Sequence, residues 1–135
     1  STYAYEDGNL VEKYQFTLPA PTQPVDATIA AGITDALRGV PLFGTASNQL
    51  NEITARTDIA GKTGTDDGNK VANFYGVACI APTDGSEPYN ITIGVAERYP
   101  DDLFPLGSGH TGGNYPAKTF KTILAPIIGA PCRIN

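Results

Sequence analysis

Side chains that bind metals or carry redox chemistry are scarce in this sequence, which has one histidine and two cysteines. Cys79 and Cys132 lack the paired spacing of a zinc site, and the lone His110 cannot complete one. Their number is compatible with a single disulfide, but sequence does not establish it. The expectation adopted is a buried thiol on a strand and a second thiol near the tail. No cluster of lysine or arginine occurs and the net charge is −5, so a nucleic-acid partner is not expected. No apolar run approaches membrane-spanning length, and no charged-then-apolar leader stands at the N-terminus. Internal repeats and low-complexity tracts are absent too. What remains is a chain of 135 residues, long enough for one small domain.

Turn residues divide the chain. "STYAYEDGNLVEKYQF" holds two β-prone runs around Asp7-Gly8, which predicts a hairpin over about residues 2–17. Pro19, Pro21 and Pro24 then impose an extended connector. "VDATIAAGITDALRGV" reads as a helix over about 26–39, with Asp26 as N-cap, Ile29, Ile33, Leu37 and Val40 on one face, and Gly39 as the stop. "PLFGTASNQLNEITART" reads as a polar loop. Three strand-like runs follow at about 57–65, 70–81 and 89–97, joined by "DDGN" and "TDGSE". Connections this short predict an antiparallel meander. In the third run Ile91, Ile93 and Val95 alternate with Thr92, Gly94 and Ala96. After a Pro/Gly loop, a C-terminal helix is predicted over about 115–128. Asn114 is its cap, Pro116 sits in its first turn, and Phe120, Ile123, Leu124 and Ile127 form its apolar face, with a kink or stop at Pro126. The predicted class is α+β, a small antiparallel sheet with helices packed on it.

The densest chemistry lies in "TDIAGKTGTDDGN". A phosphate-binding P-loop needs a glycine five residues before Gly-Lys-Ser/Thr, and that position is Arg56. β-prone rather than helical sequence follows, so the P-loop reading fails. A strand edge fits better: Gly61 and Gly64 flank Lys62 and let another backbone approach, and an extended peptide could add to such an edge as a further strand.

The segment "IAGKTGT" resembles the third motif of penicillin-binding proteins, the serine D,D-transpeptidases that cross-link peptidoglycan. The resemblance runs along the chain in order: the "EDGNLV" hairpin, the proline-rich connector, "ITDALRGV", "GTA" at 44–46, Arg56 before "AGKTGT", "NFYGVACIAP", then Gly112-Gly113 ahead of a helix carrying Phe120 and Lys121. The chain departs from that pattern at Asn73, where the family has an aromatic residue, and at Asp66, where it has Thr or Ala. The first two motifs, Ser-x-x-Lys and Ser-x-Asn, are missing, because none of Ser1, Ser47, Ser86 and Ser108 has the required partner. The resemblance therefore implies a single partial domain over residues 1–135, the C-terminal part of a transpeptidase domain. In it Lys62 would tune the absent second-motif serine and attract the substrate carboxylate. Thr63 and Thr65 would bind that carboxylate, Gly64 would leave room for the acyl group, and the Thr65 backbone N–H would form half of an oxyanion hole. The intact parent would bind stem peptides and β-lactams at the extracytoplasmic face of a bacterial membrane, without cofactor or metal. Its class, monofunctional or bifunctional, stays open, with "GTA" and "ITIGVAE" leaning to the former. This chain alone would be inert, and its exposed sheet edge would favour self-association.

Other candidates read more simply as structure. His110 in "SGHTGG" is expected as a solvated loop residue rather than a base, and Asp66-Asp67 and Asp101-Asp102 as turn formers rather than calcium ligands. Glu97 and Arg98 are expected in surface ion pairs, and Phe74 and Tyr75 in the core. Two further readings remain: a penicillin-binding-like module without catalysis, kept for peptide binding or scaffolding, and a small secreted structural domain.

Overall fold

The structure, a computed structural model, describes residues 2–14, 17, 19–20 and 22–134. Strands Thr2–Glu6 (β1) and Asn9–Tyr14 (β2) pair antiparallel as the predicted hairpin. Asp7 and Gly8 turn the chain with φ of 48° and 81°, the left-handed pair that such a turn requires. The predicted extension to residue 17 runs partly through positions 15 and 16, which lie outside the described residues. Pro19 and Pro24 are in no regular element; Pro21 lies outside the described set.

The main sheet is the predicted meander. Ile59–Thr65 (β3), Val71–Ile80 (β4) and Tyr89–Arg98 (β5) lie in that order, each antiparallel to the next. Register runs from Ile59↔Ala78 to Thr65↔Ala72 on one side of β4 and from Val71↔Arg98 to Ile80↔Tyr89 on the other. Directly opposed residues share a face. Ile59, Gly61, Thr63, Phe74, Gly76, Ala78, Ile91, Ile93 and Val95 therefore turn to the core, as the alternation in the third run predicts. Lys62, Tyr75, Thr92, Gly94 and Ala96 turn outward and are exposed.

Helices cover the core face. Helix α1 spans Ala27–Leu42, with Asp26 capping it as predicted through a 2.8 Å bond from the Thr28 N–H. It runs one turn past the predicted stop. Gly39 is not its end; instead the Phe43 ring lies over Gly39, where a Cβ would meet Phe43 Cζ at 2.9 Å. Phe43 and Gly44 both donate backbone bonds to the Gly39 carbonyl, at 3.0 and 2.8 Å. Pro41 gives up one helical donor in the last turn, and its ring is fully buried in exchange. The predicted apolar face of α1 is only half used. Val40 packs on the core, whereas Ile29 and Ile33 are 58% and 54% exposed.

Helix α2, Ser47–Thr54, stands where a loop was predicted. Its sequence carries weak helical preference, but Leu50 and Ile53 lie one turn apart and bury fully beside Ala46. Tertiary burial overrides propensity there. Helix α3 spans Tyr115–Leu124, ending four residues before the predicted limit at 128 because the helix does not continue through Pro126. Its buried face is Ala117, Phe120 and Leu124, while the predicted members Ile123 and Ile127 are exposed. Asn114 precedes α3 but makes no capping bond. Its side chain goes instead to the Gly109 carbonyl and to Gln49, both at 3.0 Å.

The tail is fastened at the start of β3. Cys79 and Cys132 form a disulfide, which corrects the expectation of two separate thiols. The β4 position of Cys79 and the return of the tail across that strand bring the two Cα atoms to 5.7 Å, a separation that sequence spacing does not reveal. Asp58 N–H donates to the Cys132 carbonyl at 3.2 Å. The Asp58 carboxylate in turn receives Arg38 in a two-pronged pair, Nε–Oδ1 2.9 Å and Nη2–Oδ2 2.6 Å, together with the Ile134 N–H at 3.0 Å. Burial alone would raise the Asp58 carboxyl, but Arg38 and the Ile134 N–H more than offset it and hold it below the ordinary carboxylate range.

Two measurements check this fastening. Closing 53 residues of chain stabilises by up to about 4 kcal/mol in the loop-entropy account. Reduction by a dithiol is therefore expected to lower the thermal midpoint of the circular-dichroism transition clearly, and an unchanged midpoint would show that the bridge constrains nothing. For Asp58 the lowered folded-state value means stability that is full above the unfolded value near pH 4 and lost as pH falls through the folded value. Asp58→Asn is expected to cost about 2 kcal/mol at pH 7 in denaturant titration, and to flatten the wild-type loss of stability below about pH 4.

Candidate functional site

The predicted site residues occupy the C-terminal end of β3, which is an edge strand of the sheet. Three segments distant in sequence meet there. Thr45, from the "GTA" run between α1 and α2, sets its hydroxyl 2.9 Å from the Thr63 hydroxyl. The Gly112 N–H donates to Thr65 Oγ1 at 3.0 Å. Gly113 lies against the Thr45 carbonyl. These approaches leave no space for side chains, since a Cβ on Gly112 would come to 2.5 Å from the Gly64 carbonyl oxygen and 2.8 Å from its nitrogen. Both glycines are fully buried. The runs "GTA" and "GG" are visible in the sequence, but the contact of Thr45, Gly112 and Gly113 with β3 is not, because it joins segments far apart in the chain.

The loop that carries Gly112 is tied down on both sides. Leu106 N–H donates to the Asn69 carbonyl at 2.7 Å, and Asn69 Nδ2 donates to the Gly107 carbonyl at 2.6 Å. Asn114 bridges Gly109 and Gln49, linking the loop to α2. His110 is not the solvated residue expected. It is half-buried and stacked on Tyr115, with ring centres 4.1 Å apart and planes 12° apart. Among the described residues its Nδ1 finds no hydrogen-bond partner.

Lys62 is exposed, and its Nζ donates to the Thr63 carbonyl at 2.6 Å. Strand alternation puts it opposite Tyr75 on the outer face, while Thr63 stands opposite Phe74 on the core face. The amine and the two hydroxyls thus leave the strand in opposite directions. Phe74 is core as expected, but Tyr75 is 55% exposed and its ring lies across Gly94. The space beside Gly64 is taken by the Asn73 carboxamide, which a Cβ there would strike. Asp66 closes the β3–β4 turn by accepting the Lys70 and Val71 N–H groups at 2.6 and 2.9 Å. The Val71 bond leads in drawing its carboxyl below the ordinary range, against burial and with help from Lys70 and Gly68. The Asp66 carboxylate is therefore committed to backbone, not to Lys62. Asp101 and Asp102 turn the chain with φ of 57° and 52°; Arg98 pairs with Asp102 at 3.6 Å, and Glu97 accepts from Thr119.

A cavity of about 470 Å³ lies at the other end of β3, lined by Arg38, Thr57, Asp58, Ile59, Cys132 and Arg133. Lys62 does not line it. Among the described residues no group of three or more His, Cys, Asp and Glu side chains is placed to hold a metal ion. No protein-family model matches this chain, and no curated protein and no solved structure matches it either.

The contact at Gly112 can be checked directly. Gly112→Ala is expected to displace the 106–113 loop or cost about 2–3 kcal/mol, because the methyl must enter backbone that cannot yield. Denaturant titration reads the cost, which is steric, because the φ of Gly112 lies outside the left-handed region.

Proposed function

We propose that this chain is the C-terminal sheet-and-helix part of a serine D,D-transpeptidase domain of the penicillin-binding type, acting on peptidoglycan stem peptides. The observation that carries the reading is the meeting of "GTA", "KTGT" and the Gly112-Gly113 pair at one end of an edge strand. These are the runs on which the resemblance rests, and their sequence order does not require them to touch.

In this reading a serine from outside the chain attacks the carbonyl between two D-alanines. Its Oγ–C bond forms as the terminal D-alanine amine leaves, and a neighbouring stem amine later displaces the serine from the acyl group. The contributions of this chain are electrostatic. Lys62 supplies the positive charge for the terminal carboxylate and for the second-motif serine. Thr65 accepts the Gly112 N–H through its oxygen, so its own proton is left to donate to that carboxylate. Thr63 shares a hydroxyl pair with Thr45 and adds a second oriented group. The Thr65 N–H is one of two donors for the developing oxyanion, worth about 3 kcal/mol in related acyl transfers. With no activated nucleophile, the chain by itself transfers nothing.

The Cys79–Cys132 disulfide supports a compartment outside the reducing cytoplasm, as the extracytoplasmic reading requires. Among the described residues no helix is long and apolar enough to cross a membrane.

Labelled penicillin tests the proposal. The 135-residue chain is expected to show no covalent mass shift. A parent whose coding sequence supplies Ser-x-x-Lys and Ser-x-Asn upstream is expected to take up one label, and Lys62→Ala in it to slow acylation about 100-fold with little change in melting temperature. An adduct on the isolated chain, or an upstream region without Ser-x-x-Lys, overturns the enzyme reading. The second of these would leave a peptide-binding module in its place.

A further inference from the structure

We infer that Asn73 sets the substrate specificity of this site. Its carboxamide hydrogen-bonds the amide on the acyl side of the scissile bond, so that donors acylated on nitrogen there, as in a peptide, are taken in preference to donors with a bare amine. The inference rests on the transpeptidase reading and adds to it a residue that the resemblance does not supply, since position 73 is one where the chain departs from the family pattern.

Asn73 stands on β4 directly opposite Gly64 of β3, and Tyr75 opposite Lys62. Opposed residues share a face, and so do alternate residues of one strand, so the Asn73 carboxamide and the Lys62 amine leave the sheet on the same side. Gly64 has no side chain to hold the carboxamide off. A Cβ there would strike Asn73 Oδ1 and come to 3.1 Å from Nδ2. The carboxamide therefore lies over the edge strand, and it brings a donor and an acceptor to the rim along which a ligand approaches β3.

Neither end of that carboxamide is used by the fold. Asn69 Nδ2 donates to the Gly107 carbonyl and Asn114 Nδ2 to the Gly109 carbonyl, whereas among the described residues the Asn73 carboxamide makes no hydrogen bond. It is half-buried nonetheless. Asparagine is depleted in strands, and a polar group held half out of water and unpaired costs free energy that nothing in the chain offsets. A ligand amide offsets it. In the transpeptidase reading the acyl group lies over Gly64, with the developing oxyanion on the Thr65 N–H. The secondary amide next along the acyl group offers one N–H and one carbonyl, which match Oδ1 and Nδ2 one to one. An unacylated amine offers no carbonyl, so Nδ2 stays without an acceptor where the ligand has displaced water.

Two penicillins test this on the parent that carries Ser-x-x-Lys and Ser-x-Asn: benzylpenicillin, whose side-chain amine is acylated, and the same nucleus with that amine free. Intact mass follows acylation by each. Asn73→Ala is expected to lower the ratio of the two rates, benzylpenicillin over the bare nucleus, about tenfold, the size of one lost hydrogen bond. The thermal midpoint is expected to hold, because the fold does not use the carboxamide. Asn73→Thr removes the carboxamide while restoring strand preference, and the same fall in the ratio is expected. A purely structural role would not move the ratio. A labelled parent whose ratio stays at the wild-type value in a folded variant overturns the inference and leaves the transpeptidase reading standing. Loss of the native circular-dichroism spectrum in both variants also overturns it, by making the carboxamide a structural group. A parent that takes no label from either penicillin overturns both.

Discussion

Two phenylalanines stacked through two glycines hold this molecule in register. Phe74 on β4 lies over Gly61, where a Cβ would meet its Cζ at 2.5 Å. Phe120 on α3 lies over Gly76, where a Cβ would meet both Phe120 and Phe74 at 2.8 Å. The rings meet edge to face with centres 4.9 Å apart, both fully buried. Aromatic pairs in this geometry add about 1 kcal/mol beyond the area they bury. Their larger effect is positional. The bare glycines let α3 sit close against the middle of the sheet, so its N-terminal approach, the loop ending in Gly112-Gly113, arrives at β3 close enough for backbone to touch backbone. The hydroxyl geometry at Thr63 and Thr65 depends on that approach.

The opposite end of β3 is secured by different means. There the restraint is covalent and ionic: the Cys79–Cys132 bridge, the Arg38–Asp58 pair, and the Thr57 hydroxyl donating to the Cys79 carbonyl. Asp58 serves α1, β3 and the tail at once, which is why its charge matters more than that of the surface acids. Glu52 also sits below its ordinary range, through the Lys121 hydrogen bond, but it is largely exposed and joins only α2 to α3. β3 is thus pinned at its start by charge and sulfur and at its end by close-packed glycine.

What the sequence revealed follows from the range of the forces involved. The hairpin turn, the Asp26 cap, the meander and the stop before Pro126 are set by neighbours a few residues apart, and all are legible. Helix α2 was not, because Leu50 and Ile53 find their reward only in burial by α3 and the sheet. The α1 and α3 faces were half right: periodicity marks which residues share a side, not how far the partner surface extends. Ile29, Ile33, Ile123 and Ile127 lie beyond that extent. At the candidate site, "KTGT" marked the strand, but the contacts at Thr45 and Gly112 join residues 18 and 47 positions from their partners. The expectation of two separate thiols fails for the same reason, the two cysteines standing 53 positions apart.

Placing Lys62 and the two threonines on opposite faces of one strand restricts what can touch all three. A ligand above the sheet reaches Lys62 and Tyr75 but not the hydroxyls; one below meets Phe74 and the core. Only a ligand lying along the open edge of β3 has both faces within reach, because alternate side chains diverge on either side of the strand plane. Among the described residues no strand pairs with that edge, although Lys62 Nζ holds the Thr63 carbonyl, so an extended peptide there would gain affinity and orientation from one direction. The two glycines of "AGKTG" narrow the strand on both sides of the lysine, which lets a second backbone lie close without climbing over side chains. Edge position, alternation and glycine spacing therefore converge on a single mode of approach, along β3; under the proposed function, an elongated substrate running that way would bring its terminal carboxylate to Thr65.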